Sequence, residues 1–109
     1  MDEAIKNGVH DWLDSLKAEL GMLLNQCTEK KIELEVLKLR KEVAEEAVDK
    51  IEDGFLREKF YNKYVNEVDE EIKKCSSELE MLRKSRKELN ISVAALEKTI
   101  QSSSFRKAP

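Results

Sequence analysis

Residues 48–61 read Val48-Asp49-Lys50-Ile51-Glu52-Asp53-Gly54-Phe55-Leu56-Arg57-Glu58-Lys59-Phe60-Tyr61, and two heptad rows meet across this stretch out of step. Downstream, apolar residues recur at alternating spacings of four and three: Tyr61, Val65, Val68, Ile72, Cys75, Leu79, Leu82, Leu89, Val93, Leu96 and Ile100, with Arg86 the single polar member. Upstream, the same rhythm runs through Leu13, Leu16, Leu20, Leu23, Cys27, Leu34, Leu37, Ala44, Val48 and Ile51, interrupted by Lys30 and Lys41. Each row is an a/d seam, the narrow stripe by which one helix buries itself against another. Ile51 and Tyr61 both take d positions, yet they stand ten apart where an unbroken register needs seven or fourteen. Asp53-Gly54 is also the strongest turn signal in the chain, because glycine accepts a positive φ where a helix stops. The expected fold is therefore all-α, an antiparallel hairpin or coiled coil of two long helices. Arm 1 covers about 4–52, the corner 53–55 and arm 2 about 56–101, followed by a flexible tail over 102–109. Arms of this size would make a rod of about 60–70 Å at a rise of about 1.5 Å per residue. The rival is one helix of about 100 residues that absorbs the slip as a local overwinding.

Composition agrees with this reading. Charged residues make up 39% of the 109, with three Gly and a single Pro, the last residue, so nothing else breaks a long helix. Gly21 and the Asn25-Gln26-Cys27-Thr28 stretch are weak helix formers, but the heptad phase passes straight through them and a continuous first arm is expected. Residues 1–53 carry 14 acids and 8 bases, a net of −6, while residues 54–109 carry 9 acids and 12 bases, a net of +3. Opposite net charge favours pairing the two arms.

Within the seams, Leu16, Leu23, Leu37, Val48, Val68, Ile72, Leu79, Leu82 and Leu96 are expected to hold the hairpin. A second stripe, Ile32, Val36, Leu39 and Val43, takes f and c positions nearly opposite the first seam, and Ala47 extends it. A two-helix hairpin has no internal use for such a row, and a helix apolar on two faces is usually covered on both. With Phe60 and Tyr64 as companions near the corner, it is the expected partner interface. Pairing of two hairpins into a four-helix arrangement, or docking of another coiled-coil chain, would cover it.

The most basic stretch, Arg83-Lys84-Ser85-Arg86-Lys87, is a possible anion patch formed by Arg83, Lys84, Arg86 and Lys87. Glu78, Glu80 and Glu88 flank it and no aromatic residue interleaves, so a solvated or internally paired face is expected, and a nucleic-acid or membrane-surface binder is the minor alternative. Cys27 and Cys75 sit in the seams as small hydrophobes. His10 is the sole histidine. No nucleophile–base set and no clustered metal ligands occur, and adjacent acids such as Glu45-Glu46 and Glu70-Glu71 diverge around a helix. No catalysis, cofactor, metal or small-molecule substrate is expected. Trp12, with Val9 and Leu13, makes the N-terminal end strongly apolar, as either a docking site or a closing cap.

Met1-Asp2-Glu3-Ala4 shows no positive, then apolar, signal-peptide pattern, and no apolar run approaches the roughly 20 residues needed to span a bilayer. A cytoplasmic or nuclear, reducing setting is expected. The function expected is that of a non-catalytic scaffold or adaptor, a homodimer or a hetero-oligomer with other coiled-coil chains.

The stretch Ile51–Phe60, running on through Tyr64 and Glu67 to Ile72, resembles the coiled-coil insertion of large serine recombinases. There an Asp-Gly corner, an acidic turn and an aromatic lead into a second long helix. The resemblance implies that residues 30–100 form an excised oligomerisation module of the kind that joins integrase subunits at synapsis. The catalytic serine domain and Cys-rich zinc ribbon of that family are not found in this chain.

Overall fold

A computed structural model describes residues 2–102; the remainder of the expected tail, residues 103–109, lies outside the described residues. Helix α1 (Glu3–Val48) forms the first arm. The second arm comprises α2 (Gly54–Tyr61), a π-helical stretch (Asn62–Asn66) and α3 (Glu67–Ile100). The described residues contain no strand, and the fold is an all-α helical hairpin. Helix α1 runs unbroken through Gly21 and Asn25–Thr28, because the seam on either side keeps its phase and its burial.

The chain divides into two compact units, one made of residues up to 26 with those from 82 onward, the other of residues 27–81. In the first, Leu13, Val93 and Ile100 are buried together, with Val9, Leu16, Leu89 and Leu96 packed against them. In the second, the buried residues are Cys27, Leu34, Leu37 and Ala44 of α1 and Val65, Val68, Cys75 and Leu79 of the second arm. Its two arms run antiparallel, since Lys30 meets Glu78 whereas the later Lys41 meets the earlier Asp69. Of the residues expected to hold the hairpin, Leu37, Val68 and Leu79 are fully buried and the other six half-buried.

The corner departs from the expected 53–55: residues 49–53 are the non-helical ones. Helix α1 ends in short i→i−3 bonds, Lys50 N–H to Ala47 O and Ile51 N–H to Val48 O. The Arg57 guanidinium then donates from Nε to Val48 O at 3.1 Å, satisfying a carbonyl that the helix end would otherwise orphan. Asp53 caps the following helix: its carboxylate accepts from Phe55 N–H at 2.9 Å and Leu56 N–H at 3.0 Å. Asp-Gly is therefore a helix start rather than a helix stop. Gly54 is the first helical residue, and no described residue has a positive φ. No left-handed glycine is needed, because the aspartate oxygen caps the start of α2 while Arg57 serves the end of α1.

The heptad slip has a second structural cause. Glu67 N–H bonds to Asn62 O, five residues back, which inserts one extra residue into a turn. Upstream of Val65 the inward position therefore falls one residue earlier than a strict heptad places it. Phe60 is half-buried, whereas Tyr61, expected in the seam, is 44% exposed. Val65, within the π turn, is the most enclosed side chain among the described residues, 2% exposed.

The two lysines that interrupt the first seam keep their stems in it and extend their ammonium groups to the seam's edge. Lys30 Nζ lies 2.8 Å from Glu78 and Lys41 Nζ 2.8 Å from Asp69; in the first unit, Lys17 Nζ lies 2.7 Å from Glu97. All three pairs set a base on the acidic arm against an acid on the basic arm. Opposite net charge of the halves, expected to favour their pairing, is followed by the Asp49–Arg57 pair at 3.6 Å beside the corner but not by these three contacts. Only side chains flanking the seam come within ion-pair distance, and the net charge of an arm is set mostly by residues facing solvent.

Truncation of the seam tests its dominance: Leu34→Ala should lose about 2–5 kcal/mol of unfolding free energy in urea titrations. Asp53→Ala, by removing the cap, should lose about 1 kcal/mol in the same measurement. The ion pairs predict a pH profile. Hydrogen bonding to Lys41 and Lys30 holds Asp69 and Glu78 below their ordinary 3.8 and 4.5, so their contribution is present above those values and lost as pH falls through the lowered ones. Hydrogen bonding to Glu78, Asp69 and Glu97 holds Lys30, Lys41 and Lys17 above 10.5, so theirs is present below 10.5 and lost as pH rises through the raised values. The melting temperature should fall on both flanks. Lys30→Gln/Lys41→Gln should lower the neutral plateau and flatten the acid-side fall.

Candidate functional site

Two surfaces collect the candidate residues. The first lies in the unit of residues 27–81. Ile32, Val36, Leu39 and Val43 of α1 are between 51% and 60% exposed, although all four are large aliphatics inside a long helix. The π turn brings Phe60 and Tyr64 to one side of this row, ring centroids 4.7 Å apart. Val36, Leu39, Val43 and Ala47 then form one wall of an open groove of about 400 Å³, with Phe60 and Tyr64 as the other and Ala44 and Val68 at its base. Ile32 stands outside that groove. It lines a neighbouring shallow depression of about 460 Å³ together with Val36 and Leu39, so the two share a wall and the apolar surface is continuous.

Phe60 and Tyr64 can face the stripe because an i, i+4 aromatic pair occupies one helix face. The π insertion turns that face toward α1. Periodicity alone located both aromatics near the corner, but the extra residue that aims them leaves no mark in a strict heptad reading. Polar groups rim the groove without closing it. Arg40 lines its edge, and Lys63 Nζ lies 5.4 Å from the Tyr64 ring centroid.

The second surface lies in the other unit. Arg83, Arg86 and Lys87 of α3 line an open groove of about 680 Å³, opposite Lys17, Leu20, Gly21 and Leu24 of α1. Asn90 closes the row on the α3 side, and Lys84 does not line it. Arg86 is half-buried, its stem in the seam and its guanidinium at the groove. No ion pair within 4 Å engages Arg83, Lys84, Arg86 or Lys87 among the described residues; of the two expected alternatives, a solvated or an internally paired face, internal pairing is not found there. Of the flanking acids, Glu78 is committed to Lys30 across the hairpin.

The remaining candidates are structural in their surroundings. Cys27 and Cys75 are free and buried. The Cys75 thiol donates to Lys30 O at 3.6 Å, and burial pushes its pKa up, away from the reactive thiolate. Val9 and Leu13 close the apolar cluster at the end of their unit, while Trp12 remains half exposed. Among the described residues no three His, Cys, Asp or Glu side chains gather as a metal ion would need, and no helix is long and apolar enough to cross a membrane.

No protein-family model matches the chain, and neither a curated protein nor a solved structure matches it.

Proposed function

We propose that the chain is a non-catalytic coiled-coil scaffold or adaptor that assembles through the outer stripe of its first arm, pairing two hairpins into a four-helix arrangement. The observation that carries this reading is the continuous apolar surface of Ile32, Val36, Leu39 and Val43 with its groove against Phe60 and Tyr64. A polar-rimmed apolar patch of this extent is characteristic of a contact surface. Covering such residues contributes about 1.5–3 kcal/mol for each large side chain fully buried. Four of them on each protomer would offset much of the entropy lost on association.

The groove's form suits a helix. It is open along its length and walled by aliphatics one helical turn apart, the spacing at which a third helix seats its own side chains. Another coiled-coil chain could take the same place as a second copy. The two free, buried cysteines support a reducing setting, the cytoplasm or nucleus.

Light scattering coupled to size exclusion should give a dimer for the native chain and a helical monomer for Val36→Asp/Leu39→Asp. A native monomer would rule out self-association through the stripe. An unfolded variant would place the stripe in the folding core instead.

A further inference from the structure

We infer that the groove between Arg83, Arg86 and Lys87 on one side and Leu20, Gly21 and Leu24 on the other receives an acidic amphipathic helix of a partner protein. Three features point to this occupant. The first is charge without internal compensation: Lys17, on the α1 side of the groove, holds Glu97 at 2.7 Å, and Lys30 and Lys41 also have an acid within 2.8 Å across the hairpin, while the three cations on the α3 side of the groove have none within 4 Å among the described residues. A partner carrying carboxylates supplies the missing countercharge.

The second feature is the spacing of the cations. Arg83, Arg86/Lys87 and Asn90 stand three or four residues apart on α3, one polar group per turn at intervals of about 5.4 Å. A single compact anion meets only one or two of them. A helix lying alongside presents acids with the same periodicity and meets them all.

The third is the apolar wall. Leu20 and Leu24 face the cations, and Gly21 leaves room between them, since a side chain built there meets nothing within 4 Å. Leucine side chains on the inner face of an amphipathic helix fit this wall, with acids on its flank reaching the arginines. A sugar–phosphate backbone would leave the same wall covered by polar groups. No aromatic side chain lines the groove on which a base could stack.

The groove is independent of the outer stripe, so its test does not depend on self-association. The probe is a fluorescein-labelled synthetic helical peptide of about 20 residues, with leucine at each turn and glutamate flanking the leucines. Fluorescence anisotropy should show saturable binding that weakens as salt rises. The same peptide with glutamine in place of every glutamate should bind more weakly. Arg83→Glu/Arg86→Glu should weaken binding of the acidic peptide about tenfold. Gly21→Leu, which fills the groove without altering charge, should weaken it comparably, and Val36→Asp/Leu39→Asp should leave it unchanged. If the double reversal loses helicity by circular dichroism, Gly21→Leu decides alone. The proposal is overturned if the acidic peptide does not bind, or if Gly21→Leu binds it as the native chain does. Tighter binding of a single-stranded oligonucleotide or of phosphatidylserine vesicles would overturn it in favour of a phosphate surface.

Discussion

Everything in this molecule depends on burying one narrow apolar stripe of the first arm against the matching stripe of the second. A hairpin of two helices has no other interior: the buried side chains are seam residues, and no polar or charged side chain is fully buried among those described. Hydrophobic burial is non-directional, so the stripe fixes which faces meet but leaves the ends and edges of the arms to other forces. Those forces are visible at the corner and along the flanks. Asp53 and Arg57 satisfy backbone groups that the seam cannot reach. Lys30 and Lys41 occupy seam positions without placing charge inside, because their stems are apolar and their ammonium groups meet Glu78 and Asp69 at the margin.

The same constraint accounts for the two open surfaces. A seam only one stripe wide covers about a third of each helix and leaves the rest to solvent or to partners. Most of that remainder is charged and solvated. Two grooves stand out in it: one between the aliphatic row and its aromatic wall in one unit, and the basic groove with its leucine wall in the other. They differ in chemistry, one almost purely apolar and one mixed, and so select different occupants. In the scaffold role we propose, the first would join copies of the chain while the second would seat a different partner.

Much of this was legible from residue order. The heptad rows named the seam residues because burial against a second helix requires a period near 3.5, and that period is a property of the sequence. The outer stripe was legible for the same reason: aliphatics at f and c positions have no internal partner in a hairpin. Other features were not. The Asp53-Gly54 pair signalled a break but not its sense, since an aspartate before a glycine serves as well to start a helix as to end one. Net charge per arm named no particular pairs, because ion pairing falls off within a few ångströms and the residues flanking the seam decide which groups meet.

The sequence by itself determined that this chain forms two helical arms, that they break near Asp53-Gly54, and which face of each is buried along most of its length. Those are consequences of periodicity, and periodicity is local. Only the tertiary structure decided how the register is reconciled across the corner, through an extra residue in the turn at Asn62–Asn66 that exposes Tyr61 and turns Phe60 and Tyr64 toward the first arm. It also decided that Arg83, Arg86 and Lys87 face leucines rather than acids. Both depend on which side chains of separate arms come within a few ångströms of each other, a distance that no spacing along one chain encodes.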